Sequence, residues 1–354
     1  MMTDKIDDDL KLLCVPPLGA MIGLLQQQQE VPLTKEEVEK LASGAPCIAM
    51  KPEDYWSMLD REERMHVDPS NAWDDWQRAK ADYGFGYMPL ISIGIPGNEE
   101  FKQRAVEFLT TQNDTFFDIK EKDPELLEDC QKYSFKNEHD FLPDDLESLA
   151  NHSCVIYFRN TGTTSKLAHK EALRFLNLAD KLLDLGGLAV IVDTSSLYHS
   201  KANWKSLVSF IDGLTAEDTK YWGGLFAAYV QVPLSNENDC YSSGMHMLGA
   251  PDMVASTACL EKLPGPVSPL QAAYILFHEI GFYLLTEGKR RPFKSGHTFQ
   301  MTLESPILRV SWEACTQVRE GTNLFNPYGM WRFDSVSQKE SESILEKLGK
   351  FFKK

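Results

Sequence analysis

Cys154-Val-Ile-Tyr-Phe-Arg159 runs into a polar turn, Asn160-Thr-Gly-Thr-Thr-Ser165, then a long stretch to Leu185, then Gly186-Gly187 and Leu188-Ala-Val-Ile-Val-Asp193. Within the long stretch Leu167, Ala168, Ala172, Phe175, Leu176, Leu178, Ala179, Leu182 and Leu183 recur at three- and four-residue spacing. That is the apolar face of an amphipathic helix. The glycine pair suits the positive-φ conformation that ends a helix. An apolar run, a helix and a second apolar run predict a βαβ unit over 154–193. Its two strands are expected to be parallel and joined by a right-handed crossover. The fold class that follows is α/β or α+β, a mixed β-sheet with packed helices.

The chain has 354 residues, 43% hydrophobic and 25% charged, the balance of an ordinary globular protein with enough chain for one large core or two. Its net charge is −16 and is unevenly placed. Residues 1–150 carry 32 acidic and 15 basic side chains, while the remainder is nearly balanced. An acidic face argues against binding nucleic acid through phosphates and suits steering of a basic partner. The start, Met1-Met-Thr-Asp-Lys-Ile-Asp-Asp-Asp-Leu10, has no cationic region of a secretory signal. The apolar run from Cys14 to Leu25 holds two prolines and is too short to span a bilayer. A cytoplasmic protein without a membrane partner is expected. Seven scattered cysteines without a CxxC pair read as reduced core thiols.

Residues 1–84 read as a small acidic α+β domain. Thr34 lies three residues before Glu37, the spacing of a capping box, and Cys47-Ile-Ala-Met50 is a short strand candidate. Trp73 and Trp76 share a helical face, either a binding hot spot or an anchor to the domain's own core. Gly84 to Pro89 reads as a linker. A larger α/β domain spans 88–334, starting with a strand at Leu90–Ile95 and a helix through Phe101 and Leu109. Residues 113–140 are acidic and polar, an expected exposed loop. Further on, Leu225–Val232 reads as an apolar strand pairing with Cys240–Met247. Pro269–Leu285 is apolar nearly all round, hence expected to be a buried helix. The 335–354 tail is an expected lysine-rich helix.

Pro32-Leu-Thr, Cys47-Ile-Ala-Met50 and Asp68-Pro69 followed by Trp73 and Trp76-Gln77 resemble, in that order, a family of small uncharacterised bacterial proteins. Downstream, Asp239-Cys-Tyr-Ser-Ser-Gly-Met-His-Met-Leu-Gly249, Tyr283-Leu-Leu285 and Lys294-Ser-Gly-His-Thr-Phe299 resemble the bacterial domain-of-unknown-function family 4261 (DUF4261) over roughly 88–315. Ser242 stands where that family commonly has threonine, and Leu248 where it has an aromatic. The resemblance implies a fold and no activity, cofactor or site residue.

Candidate chemistry is sparse. Thr161-Gly-Thr-Thr-Ser-Lys166, between strand and helix, suits an anion at a helix N-terminus but lacks phosphate-loop spacing. Its plainer reading is a turn in which Thr163, Thr164 or Ser165 caps the helix. His278-Glu279 lacks the second histidine of a zincin, since position 282 is Phe282. Convergence of His246, His278 and His297 on a metal, with Glu279 as base, remains a second arrangement. Asp193, Ser195 and His199 follow a strand end where α/β sites sit, without a GxSxG elbow. None of these patterns amounts to a catalytic, cofactor or metal set. The expected function is therefore a non-enzymatic protein-binding protein of the immunity type, which neutralises a bacterial toxin or secreted effector, with a basic one as the expected partner. The alternatives are an enzyme of unrecognised type near the central strand ends and an oligomer built on the Trp73/Trp76 face.

Overall fold

The structure, a computed structural model, describes residues 10–29, 31–62, 64–112, 114–133, 140–160, 162–265, 268–289, 291–302, 305–337 and 340. Nearly all of the expected C-terminal helix therefore lies outside the described residues.

The N-terminal part contains β1 (Lys11–Cys14), α1 (Leu18–Gln27), α2 (Lys35–Gly44), β2 (Cys47–Met50), α3 (Pro52–Leu59) and α4 (Ala72–Ala79). The capping box forms: Thr34 accepts from the Glu37 amide and Glu37 accepts from the Thr34 amide. β1 and β2 pair antiparallel. Leu18, Ile22, Val38, Ala72 and Trp76 form a core of their own. Trp76 is 2% exposed, against Tyr83 and Phe85, and Trp73 packs on the same cluster. The tryptophan pair thus anchors its own unit, and the oligomer reading loses its surface.

The next strands are β3 (Ser92–Gly97), β4 (Phe116–Glu121), β5 (Cys154–Arg159), β6 (Ala189–Val192) and β7 (Leu197–Ser200), in the order β4-β5-β3-β6-β7. Every neighbouring pair is antiparallel. Helices α5 (Glu99–Thr110), α6 (Leu126–Tyr133), α7 (Pro143–Ala150) and α8 (Ala168–Asp184) intervene. β5 and β6 do run parallel, as 154–193 predicts, but β3 lies between them. The unit is a split βαβ, and β3-α5-β4 is a second one, which together make a ferredoxin-like βαββαβ core. β3 is buried at all six positions, as a central strand must be. α5 and α8 cover one face; Leu126, Cys130 and Leu149 of α6 and α7 cover the other. The expected loop at 113–140 thus contains β4 and α6, with 113 and 134–139 outside the described residues. β4 is an edge strand exposed at most positions, so its sequence carries no burial pattern.

Helices α9 (Lys201–Ile211) and α10 (Thr219–Tyr229) lead to the second sheet. Its strands are β8 (Gln231–Ser235), β9 (Asp239–Ser243), β10 (Asp252–Ser256), β11 (Thr298–Phe299), β12 (Leu308–Glu313) and β13 (Met330–Ser335), in the order β11-β12-β13-β10-β9-β8. Only β10 and β13 pair parallel among these, so this sheet is mixed and the whole is α+β. α11 (Thr257–Leu260) and α12 (Pro269–Leu285) complete the set. One hydrophobic core runs from β3 and α8 through α10 to α12 and β13.

The expected strand at 225–232 is instead the end of α10 followed by β8. A short apolar run has no period of its own to separate helix from strand. Gly224 fits the helix because a Cβ there would lie 2.4 Å from Ile211 of α9. Tyr229 then donates to the Ala172 carbonyl of α8 at 2.6 Å, tying the two helices. The hairpin survives with a shifted partner: β9 pairs with β8. α12 has the predicted bounds but is not buried all round. Leu270 (47%), Tyr274 (43%), Ile275 (46%) and Phe282 (39%) are exposed.

Candidate functional site

Two turns meet backbone to backbone. One is the β5–α8 turn at 160–167, and the other a 3-10 turn at Met245–Leu248 between Gly244 and Gly249. A Cβ on Gly249 would lie 1.9 Å from the Ser165 carbonyl, so the contact is backbone on side-chain-free backbone. Thr161 lies outside the described residues. The anion expected near this helix start is supplied by the chain itself. Asp82 accepts from the Ser165 amide at 2.9 Å, the Ser165 hydroxyl at 2.5 Å, the Met65 amide at 2.8 Å and the Tyr328 hydroxyl at 3.3 Å. Burial raises its pKa, and these four hydrogen bonds pull it back. No threonine or serine side chain caps α8, whose first turn is closed by the Thr164 carbonyl. Asp82 therefore does two things. It occupies the anion position and fastens the N-terminal unit to both sheets. Arg78, paired with buried Asp75, lies over Trp331 at 5.1 Å, and Lys294 meets Asp68 at 3.0 Å. Part of the acidity of the N-terminal region is thus used within the molecule.

Asp193, Ser195 and His199 are not brought together. β6 does not lead into a helix but turns through 193–196 into β7, with Ser196 at φ +55°. The strand end is a hairpin and not an α/β crevice. Asp193 accepts from Ser92 at 3.0 Å and Asn323 at 2.6 Å. His199 is fully buried, with Nε2 on the Ala228 carbonyl at 3.0 Å and Nδ1 on the Asn203 amide at 2.8 Å. Burial lowers its pKa to about 4 against the pull of that carbonyl, so it is a neutral core imidazole. The three other histidines also stay apart. His246 is buried in the 3-10 turn, His278 packs between Tyr274 and Phe226, and His297 accepts from the Lys294 amide. Among the described residues no group of three or more His, Cys, Asp or Glu could hold a metal ion.

The groups that sequence reading passes over are Asp252 and its neighbours. Asp252 is buried and accepts from Ser242 at 2.9 Å, the Met245 amide at 3.2 Å and Asn326 at 2.8 Å. Burial raises it to about 7 against these donors. Beside it, Ser243 Oγ, Ser195 Oγ and both ring nitrogens of His246 are buried without a hydrogen-bond partner among the described residues. A Cβ on Gly244 would come within 3.0 Å of the Ser195 Cβ. Such orphaned groups are uncommon in native interiors. No local pattern announces them, because they come from three separate stretches: Ser195 in the β6–β7 turn, Ser243 and His246 on either side of Gly244, and Asp252 at the start of β10.

On the surface, Leu270, Tyr274, Ile275 and Phe282 line one side of α12, spaced four, five and twelve residues from the first. Glu279 on the same helix and Glu287 just beyond it are exposed. No helix among the described residues is long and apolar enough to cross a membrane. In comparisons with known proteins, the chain matches no family model, no curated protein and no solved structure.

Proposed function

We propose that this chain is a non-enzymatic, cytoplasmic protein-binding protein of the immunity type, with a DUF4261-like body, whose partner is a basic toxin or effector. The observation that carries the reading is the α12 face, with four large apolar side chains in water on one helix, Glu279 set between Ile275 and Phe282, and Glu287 just beyond. Exposed apolar surface rimmed by polar residues marks interaction sites. The net charge of −16 favours a basic partner and works against nucleic acid and anionic membrane surfaces. The dispersed, internally engaged Asp193 and His199 lend no support to a catalyst.

The test compares the tagged chain with its Tyr274→Glu/Phe282→Glu variant, both recovered from native cells. The parent is expected to bring down one stoichiometric basic protein, released when salt rises from about 0.1 M to about 0.5 M. The variant is expected to bind that protein at least ~100-fold more weakly, with its own stability within about 0.5 kcal/mol of the parent. Equal binding by both removes α12 from the reading, and no stoichiometric partner removes the reading itself.

A second reading, a small-molecule or enzymatic site, is favoured by the unpartnered Ser195, Ser243 and His246 around Gly244. It predicts a small molecule released on denaturing the purified chain and lost in a Ser243→Val variant.

A further inference from the structure

β1 and β2 place Cys14 directly across from Cys47. The hydrogen bonding of the ladder decides what that pairing means. The Val15 amide donates to the Pro46 carbonyl at 2.9 Å, so 15 and 46 form a hydrogen-bonded pair. Antiparallel pairs alternate, so Cys14 and Cys47 are a non-hydrogen-bonded pair, the kind whose Cα atoms approach to roughly 4.5 Å with side chains closest. That falls inside the ~4.4–6.8 Å window of disulfides. The Cys47 thiol donates to the Ala45 carbonyl at 3.5 Å. Both cysteines are free.

We infer that Cys14 and Cys47 form a dithiol–disulfide modification site, closed by exchange with a small disulfide and opened by thiols. Cys47 is half-buried and is the point of entry, whereas Cys14 is 1% exposed. The Cys47 thiolate attacks one sulfur of the small disulfide RSSR, and RS⁻ leaves. Cys14 then attacks the Cys47 sulfur of the mixed disulfide, its proton leaves with the second RS group as RSH, and the Cys14–Cys47 bond forms. The two protein thiols lose two electrons, and RSSR gains them. The exposure of Cys47 and the burial of Cys14 assign the first attack to Cys47, and the same burial pushes the Cys14 thiol up to about 12. The bond would close a loop holding α1 and α2 and would staple the strands under α3, whose Leu59 carbonyl accepts from Lys166 of the body.

The experiment treats the full chain with excess oxidised glutathione at about pH 8, quenches with acid, alkylates, and maps peptides by mass spectrometry. The expected product has five alkylatable thiols in place of the seven in the sequence, and a cross-linked peptide pair holding Cys14 and Cys47. Cys14→Val is expected to stop at a glutathione adduct on Cys47, and Cys47→Ser to block both steps. Far-UV circular dichroism of each variant checks folding. Proteolysis between residues 14 and 47 is expected to slow at least ~10-fold on oxidation and to recover with dithiothreitol. A stable adduct on Cys47 in the parent, a bond between any other cysteines, or no reaction would each overturn the inference.

Discussion

Gly249→Ala is expected to abolish the soluble fold or to destabilise it by more than about 4 kcal/mol. Two separate causes add. Gly249 sits at φ +80°, where an L-residue costs roughly 1–2 kcal/mol. Its new Cβ would also lie 1.9 Å from the Ser165 carbonyl, with the next two Ser165 backbone atoms within 3.0 Å. These are backbone atoms, so no rotamer change relieves the clash. Either the 3-10 turn or the β5–α8 turn must move, and Asp82 holds the latter at both the Ser165 amide and hydroxyl. Gly213→Ala is the matched control: φ is +74° and nothing lies within 4 Å of its Cβ. It should cost only the backbone share, about 1–2 kcal/mol. Urea melts of both variants check this. Similar losses for the two would mean that the turns are not in rigid contact.

That contact also shows how far the sequence is legible. Periodicity suffices for α8 and for its flanking strands, because a 17-residue amphipathic helix between buried runs has few other readings. It does not tell which strand lies between them. β3 takes its place between β5 and β6 through antiparallel backbone pairing with both, and backbone pairing leaves no mark on side-chain pattern. The same holds for the junction. Asp82 and Ser165 are 83 positions apart, and Asp252 and Asn326 are 74 apart. An aspartate that fills an internal anion position and an exposed one look alike in sequence. The Asp193-Thr-Ser195 stretch reads as a turn, which the structure has, but its kind is ambiguous for a related reason. Aspartate, threonine and serine at a strand end suit a helix cap, a catalytic turn and a hairpin equally, and only the return strand β7 separates them. The α12 error is one of degree: composition reports an apolar helix but not how much of it the fold covers.

Stability is expected to pass through a maximum near pH 6.5, and Asp252 accounts for its alkaline side. Burial holds the Asp252 carboxyl at about 7, against 3.8 when free. Between those values the folded chain keeps a proton that the unfolded chain has lost, so stability falls as pH rises, by up to about 4 kcal/mol in all. His199 and His246 act in the opposite sense. Burial lowers each from 6.5 to about 4, so between these values the unfolded chain binds protons that the folded one refuses. Each therefore adds stability as pH rises through that window, about 3 kcal/mol apiece. Of these three groups, the two histidines outweigh the aspartate below pH 6.5, and above it the Asp252 loss remains, up to about 7. Asp252→Asn should remove the decline and steepen the climb between pH 4 and 6.5 by about 1.4 kcal/mol for each pH unit. The asparagine oxygen can keep the Ser242 and Met245 donors, while its nitrogen faces Asn326 and imposes a constant cost of about 1–3 kcal/mol. The decisive quantity is the slope and not the offset. Urea midpoints measured across the range for parent and variant should give diverging profiles. Parallel profiles would mean that Asp252 titrates alike in both states and is held as a carboxylate by the donors around it.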